Sequence, residues 1–318
     1  MRRIFMIMAA NALPYARHAI ETLAVNCLED FTLSVVTDDA TDKTEIEQAV
    51  REIEFGAGKF VNVVAKDEID AIAEKRFAAY PAFLKFRNGH PCWRKITDPL
   101  VLSESDEEAI ILDPDLYFPN KFTFEPTLDD GIALMYQKPN CLLPPEAVER
   151  VFDLSIPLAD HVDIGVAQLR AGTVDMAWLE QFLDKLDAEE FARFMHIEAI
   201  VWSAILMKAG GGYFDPGSWR CWQRGQVKRF AIAAGVPGTA LLRLEPLEDI
   251  KCIHVSGPSK WWVVDAIKAG ALKTFENVYD QPSPLKPQLE YTRAHFNSDV
   301  KLKSTLRRLG YYKLTKSE

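Results

Sequence analysis

The stretch AIILDPDLYF at 109–118 ends an apolar run in two carboxylates, Asp113 and Asp115. Side-chain direction repeats every two residues in an extended chain, so both project to one side and make a bidentate claim on a hard divalent cation. Pro114 between them removes a backbone donor and stiffens the chain, which marks the end of a strand and not its middle. A second stretch, HVSGPSKWW at 254–262, sets an imidazole, a glycine and an ammonium at three-residue steps. A compact turn there can present His254 to a metal and Lys260 to an anion. Together the two stretches describe a site for a metal-bound diphosphate. The other acid-x-acid triplets, Glu68-Ile69-Asp70 and Glu104-Ser105-Asp106, are decoys, because neither follows a run such as Ile110-Ile111-Leu112.

The elements that must position these groups alternate. Strand-like runs at 4–9, 31–37 and 59–64 are separated by helix-like segments at 14–26, 43–54 and 66–77, the βαβ rhythm of a parallel sheet. Ligands of such sheets sit at the carboxyl ends of the strands. The loops after the first two strands offer Ala10 and Asn11, then Asp38 and Asp39, small or polar groups that could line a nucleoside pocket or simply make turns. Between 80 and 100 the chain is aromatic-rich and basic with two Pro-bounded turns, after which Arg94 and Lys95 open a helix to about 103. A cation at that helix start could reach a phosphate; a solvated helix end explains it as well.

Further strands are expected at 109–112, 131–136 and 164–169. After Asp175, Trp178, Leu179, Phe182, Leu183 and Leu186 form an i, i+4 stripe that reads as core packing. A helix over 196–208 is apolar nearly all round and carries the single carboxylate Glu198. The loop at 214–225 holds Trp219 and Trp222, either an acceptor platform or a packed cap. Arg2-Arg3 followed by IFMIMAANA mimics a signal peptide, but its apolar part is short and a helical pattern follows at once, so it reads as a first strand.

The whole chain of 318 residues, 48% hydrophobic and 26% charged, has the composition of a soluble enzyme. Its net charge of −9 excludes a duplex nucleic-acid partner, which needs a basic face. Five widely spaced cysteines without a CxxC pair suggest neither a disulfide framework nor a zinc knuckle, and point to reduced thiols in a cytoplasmic protein. No segment approaches the roughly 20 apolar residues of a membrane span. The final 18 residues hold six Lys or Arg against one Glu, with Leu302, Leu306 and Leu309 on one helical face. That tail (301–318) fits a peripheral contact with an anionic membrane on its inner face, or a solvated helix packed on an acidic body.

A metal-bound diphosphate is the leaving group when a sugar is transferred from a nucleotide sugar, and fixed positive charge that meets the departing phosphate lowers the barrier. AIILDPDLYF resembles the DxD strand of GT-A glycosyltransferases, and HVSGPSKWW is similar to the HxxGxxKPW signature of family 8, the glycogenin and lipopolysaccharide galactosyltransferase-like members. The resemblance implies that Asp113, Asp115 and His254 bind Mn²⁺ (or Mg²⁺) and that Gly257 and Lys260 hold the diphosphate. It extends more loosely to MAANALPY at 8–15, where Ala10, Asn11 and Tyr15 would meet the nucleoside, and to WRK at 93–95, where Arg94 or Lys95 would meet the donor. The implied fold is a GT-A, Rossmann-like α/β unit with a mixed, mostly parallel sheet flanked by helices. One catalytic domain would span 1–270, with a nucleotide-binding part (1–120) and an acceptor and metal-completing part (121–270), followed by an extension at 271–318.

Three departures stand out. The family's Lys-Pro-Trp is Lys260-Trp261-Trp262, its Asn-x-Gly strand is Asp163-Ile164-Gly165, and its acceptor-side acid-Gln pair is Glu198-Ala199. Asp163 is therefore the candidate for polar contact with the donor sugar and Glu198 for the acceptor-side polar role, and either could be the carboxylate beneath the anomeric carbon if transfer is a double displacement. The family's transfer retains configuration, with the leaving phosphate oxygen assisting the incoming hydroxyl. The expected activity is transfer from a nucleotide diphosphate sugar, UDP-linked by resemblance, to a glycan or other hydroxyl acceptor. The alternative is a degenerate protein that binds the nucleotide sugar without turnover. A nucleotidyltransferase is disfavoured, because no Gly-rich basic triphosphate loop follows the first strand.

Overall fold

Alternate residues of the first strand, β1 (Arg2–Ile7), serve two separate cores: Phe5 and Ile7 pack on one side of a central sheet, Ile4 and Met6 on the other. The structure, a computed structural model, describes residues 1–222 and 225–315; Gln223 and Arg224 of the tryptophan loop and Lys316 of the tail lie outside the described residues. β2 (Phe31–Thr37), β3 (Lys59–Ala65) and β4 (Glu108–Leu112) extend β1 in parallel, with β1 between β2 and β4. The short β5 (Leu116–Tyr117) and β6 (Lys121–Phe122) follow, then β7 (Ile132–Tyr136), β8 (Leu158–Ala159) and β9 (Val162–Arg170). The chain continues through β10 (Gly211–Tyr213), β11 (Trp219–Cys221) and β12 (Cys252–His254) to β13 (Val278–Tyr279), β14 (Lys286–Pro287) and β15 (Glu290–Tyr291).

The central sheet has eight strands in the order β14-β10-β7-β9-β4-β1-β2-β3. β9 runs antiparallel to both β4 and β7, so the sheet is mixed, with its parallel part at the β1–β4 end. Helices cover both faces, and burial on both sides is why these strands read as near-continuous apolar runs. A three-stranded sheet, β11-β12-β5, stands beside it. Residues beyond 270 are paired into the body: β14 with β10, β13 with β6 and β15 with β8.

The expected alternation of strands and helices is observed, with shifted ends. The helix expected at 43–54 spans Ala40–Arg51, because Asp39 accepts the N–H groups of Thr41 and Asp42 and so starts it earlier. The region read as Pro-bounded turns contains a helix, Pro81–Arg87, whose first-turn N–H groups on Ala82 and Phe83 donate to the Glu180 carboxylate at 2.8 and 2.9 Å. That cap comes from nearly a hundred residues away and is invisible locally. The N-terminal run is the expected strand, fixed between two neighbours, with Arg2 paired to Glu29 and Glu108. No helix among the described residues is long and apolar enough to cross a membrane.

Candidate functional site

β4 leaves the central sheet at Leu112, and the chain then turns through Asp113-Pro114-Asp115 into β5 of the small sheet. The Asp113 N–H donates to the Gly165 carbonyl at 2.9 Å, and the Asp115 carbonyl accepts from Val255 N–H at 3.0 Å. The turn is thus tied at one end to β9 and at the other to the segment after β12. Because β5 pairs antiparallel with β12, Leu116 opposite His254, the imidazole lands beside the two carboxylates. His254 Nε2 lies 3.1 Å from Asp115 Oδ1 and 3.5 Å from Asp113 Oδ2. One ligand atom from each of the three residues falls within 4.8 Å of the others. The structure brings together the three residues expected to hold a metal.

Two more titratable groups adjoin the carboxylates. Lys95, in the first turn of helix Arg94–Leu102, places Nζ 2.5 Å from Asp113 Oδ1 and 3.4 Å from Glu198 Oε2. Glu198 opens helix Ile197–Ala209 and is buried. Burial and the Asp113 charge push its pKa up to about 8, against the pull of Lys95, so it is protonated at neutral pH. Burial disfavours the Lys95 ammonium, but Asp113 and Glu198 outweigh it and hold its pKa well above the ordinary range. Burial likewise raises the Asp113 carboxyl, with Asp115 adding to the rise and Lys95 opposing it. With Glu198 neutral, the three carboxylates Asp113, Asp115 and Asp163 are met by two cations, the Lys95 ammonium at Asp113 and the His254 ring at Asp115 and Asp163. Such a cluster favours a divalent cation.

Burial disfavours the His254 imidazolium, yet Asp163 and Asp115 overcome it and raise its pKa well above the usual value. His254 Nε2 and Asp115 Oδ1 are buried without hydrogen-bond partners and face each other. An imidazole and a carboxylate with facing orphaned atoms, and the second carboxylate's Oδ2 within 3.5 Å, suit Mn²⁺ or Mg²⁺, whose sites take oxygen and imidazole donors.

In front of these groups lies a cleft of about 200 Å³, whose walls include Asn11, Tyr15, Asp38, Arg94, Lys95, Asp113, Asp115 and Lys260. Arg94 is ion-paired with Asp38 and donates to the Thr37 carbonyl at 3.2 Å, which locks the helix start to the end of β2. Arg94 is therefore committed to a protein partner, and Lys95 to Asp113. Ala10 is buried and gives its N–H to Asp42. Gly257, with φ of 65°, opens the short turn Gly257–Trp261 that carries Lys260. Lys260 Nζ sits 5.0 Å from the centre of the Tyr15 ring, and Trp261 meets Tyr15 edge-on with ring centres 5.1 Å apart.

Asp163 stands behind the imidazole: its Oδ1 is 2.7 Å from His254 Nδ1 and also accepts the Gly165 N–H at 2.7 Å. Sequence reasoning missed Cys221, brought beside His254 by the β11–β12 pairing, and Pro91, Cys92 and Met195 on the cleft wall. Nothing in their local sequence marks them; only strand pairing and helix packing place them. The decoy acids are occupied elsewhere: Glu68 pairs with Lys43, and Asp70 with Lys66 and Arg87.

No family model matches the sequence, and no curated protein sequence matches it. Solved structures do match. Mouse xyloside xylosyltransferase 1 aligns with a TM-score of 0.52 at 13% identity, covering 81% of this chain and 98% of that one. An active-site mutant of LgtC aligns with a TM-score of 0.50 at 13% identity, covering 86% and 98%. The galactosyltransferase LgtC with donor and acceptor sugar analogues gives 0.49 at 13% identity over the same shares. The chain has the GT-A fold of the first two of these structures, as the two stretches around Asp113 and His254 led one to expect.

Proposed function

We propose that the protein is a metal-dependent glycosyltransferase that moves a sugar from a nucleotide diphosphate sugar, UDP-linked by resemblance, to a glycan or other hydroxyl acceptor with retention. The observation that carries this reading is the convergence of Asp113, Asp115 and His254, with both carboxylates in the wall of a cleft that Lys260 also lines. Sugar transfer is the activity named for mouse xyloside xylosyltransferase 1, whose fold the chain shares.

In this reading Asp113, Asp115 and His254 hold Mn²⁺ or Mg²⁺, which supplies Lewis-acid stabilisation of the diphosphate leaving group. Lys260, on its short turn, neutralises the outer phosphate oxygens, and Gly257 gives the turn the positive φ it needs. Ala10, Asn11, Tyr15 and Asp38 belong to the nucleoside end, with Asn11, Tyr15 and Asp38 on the cleft wall. Lys95 counters the Asp113 charge, and Arg94 orders the loop after β2. Glu198, buried and protonated at neutral pH, is the candidate for the acceptor-side polar role.

The test is donor hydrolysis and transfer across UDP-, GDP- and dTDP-sugars with and without Mn²⁺. Turnover should require the metal and disappear in Asp113→Asn and Asp115→Asn proteins that still melt cooperatively. Metal-independent turnover in those variants defeats the proposal. One observation favours a second reading: Ala199 stands where the resembling family has an acceptor-side Gln, so nucleotide-dependent thermal stabilisation without donor consumption would identify a binding protein.

We also propose a cytoplasmic protein with a peripheral membrane contact. The five cysteines are free. Leu302, Leu309 and Leu314 are exposed on the basic C-terminal helices.

A further inference from the structure

We propose that Asp163 is the positioning residue of the metal centre: it fixes the tautomer and plane of His254, so that the ring offers Nε2 to the ion, and it does not contact the donor sugar. This rests on the metal site proposed above. The family pattern has Asn at this position; the reasoning here comes from what the carboxylate touches in this chain.

Asp163 is 2% exposed and lies behind the imidazole, away from the cleft wall. Its Oδ1 accepts from His254 Nδ1 at 2.7 Å and from the Gly165 N–H at 2.7 Å, so the carboxylate is itself held in place by β9. The opposite ring nitrogen then points at Asp115 Oδ1, 3.1 Å away, and Asp113 Oδ2, 3.5 Å away. A histidine whose Nδ1–H is engaged by a carboxylate keeps its lone pair on Nε2, and the negative partner makes that nitrogen a better ligand.

A second contact fixes the plane of the ring. A Cβ on Gly165 would stand 2.5 Å from His254 Nδ1 and 2.6 Å from Cγ, so the imidazole lies flush against bare backbone. Asp163 and Gly165 both lie in the stretch of β9 where its pairing with β7 shifts register, and both meet the His254 ring. One strand therefore supplies both the acceptor that orients the ring and the gap that receives it. Asn in place of Asp163 keeps an acceptor but loses the charge.

The experiment is Mn²⁺ titration followed by electron paramagnetic resonance, alone and with UDP, on the wild type, Asp163→Asn, Asp163→Ala and the ligand control Asp115→Asn. Nitrogen NMR of the wild-type imidazole in the Mg²⁺-loaded protein, with His254→Gln to assign it, reads the tautomer without perturbing Asp163. The expected results are an Nδ1-protonated ring and Mn²⁺ binding weakened about 10-fold by Asp163→Asn and up to about 100-fold by Asp163→Ala. The donor KM measured at saturating Mn²⁺ should be near that of the wild type. Wild-type Mn²⁺ affinity in both variants, with the loss falling on donor KM, overturns the assignment and makes Asp163 a sugar contact. A ring protonated on Nε2 and not on Nδ1 in the Mg²⁺-loaded protein overturns it as well. Wild-type protein that binds no Mn²⁺, alone or with UDP, overturns the metal reading itself and this inference with it.

Discussion

Leu116 and His254 face each other across an antiparallel strand pair. That register joins the two halves of the site, because Asp115 immediately precedes Leu116 and its carbonyl accepts from Val255, immediately after His254. The small β11-β12-β5 sheet therefore sets the distance between carboxylates and imidazole, while β9 holds the rear of both through the Gly165 carbonyl and the Asp163 carboxylate. A one-residue slip of β12 would turn the imidazole to the other face. The geometry of the site is a property of strand register more than of loop conformation.

Gly165→Ala should separate ring placement from charge. The new methyl would meet His254 Nδ1 at 2.5 Å and the ring must shift, so Mn²⁺ affinity should fall at least tenfold although every ligand is intact. Overpacking of this kind costs about 1–3 kcal/mol in stability. Calorimetry and metal titration check both effects; unchanged affinity would mean that the ring has another place to go.

The Glu198 carboxyl makes a pH-dependent contribution whose sign is fixed. Burial raises its folded-state pKa to about 8 from the 4.5 of the unfolded chain, so between these values the folded state keeps a proton that the unfolded state has released. Stability attributable to this group therefore falls as pH rises from about 4.5 to about 8 and is level above that. Glu198→Gln lacks this slope. Its melting temperature relative to wild type should increase from pH 5 to pH 8.5, and a constant difference across that range would contradict the protonated assignment.

How much of this was legible in the sequence follows from the range of the interactions. The β1–β4 frame, the strand end at Asp113 and Asp115, and the apolar helix bearing Glu198 were all readable, because period-two and i, i+4 patterns are local. The partners of Arg94 and Lys95 were not readable. Adjacent cations at a helix start look equivalent, yet one turns to Asp38 and the other to Asp113, a choice set by which strand ends flank the helix. The helix Pro81–Arg87 was hidden for a similar reason, its cap being Glu180. Cys221 gave no signal at all, since β11 has three residues and owes its place to pairing with β12.

Lys251 and Glu125 form a buried pair at 2.9 Å, with side chains 1% and 3% exposed. Glu125 also accepts from Trp219 Nε1 at 2.9 Å and from the Ser283 N–H at 2.7 Å, so it joins the start of β11 to the segment beyond 270. Removing the ammonium leaves a carboxylate desolvated beneath that junction, a loss of about 3–5 kcal/mol for a buried pair broken on one side. Lys251→Ala should therefore lower the denaturation midpoint sharply, whereas Lys251→Met with Glu125→Gln should recover part of it. Equal stability of the single and double variants would show that the two residues are not coupled.

The C-terminal helix Arg293–Arg308 is held by its first turns, where Phe296 is 7% exposed and Arg293 pairs with Asp153 at 2.6 Å. Further along, Leu302 and Leu309 are 57% and 72% exposed among Lys301, Lys303, Arg307 and Arg308. Exposed leucines interleaved with cations suit an anionic bilayer, where each basic residue near the surface contributes about 1 kcal/mol and salt screens the attraction. Deleting residues 301–318 should abolish co-sedimentation with anionic vesicles and leave hydrolysis of a soluble donor unchanged, since none of the described residues 301–315 lines the cleft at Asp113 and Lys260. Full-length protein should lose vesicle binding as salt rises and should ignore zwitterionic vesicles. Equal vesicle binding by the truncated protein would remove the tail from any membrane role and leave its leucines as solvated surface.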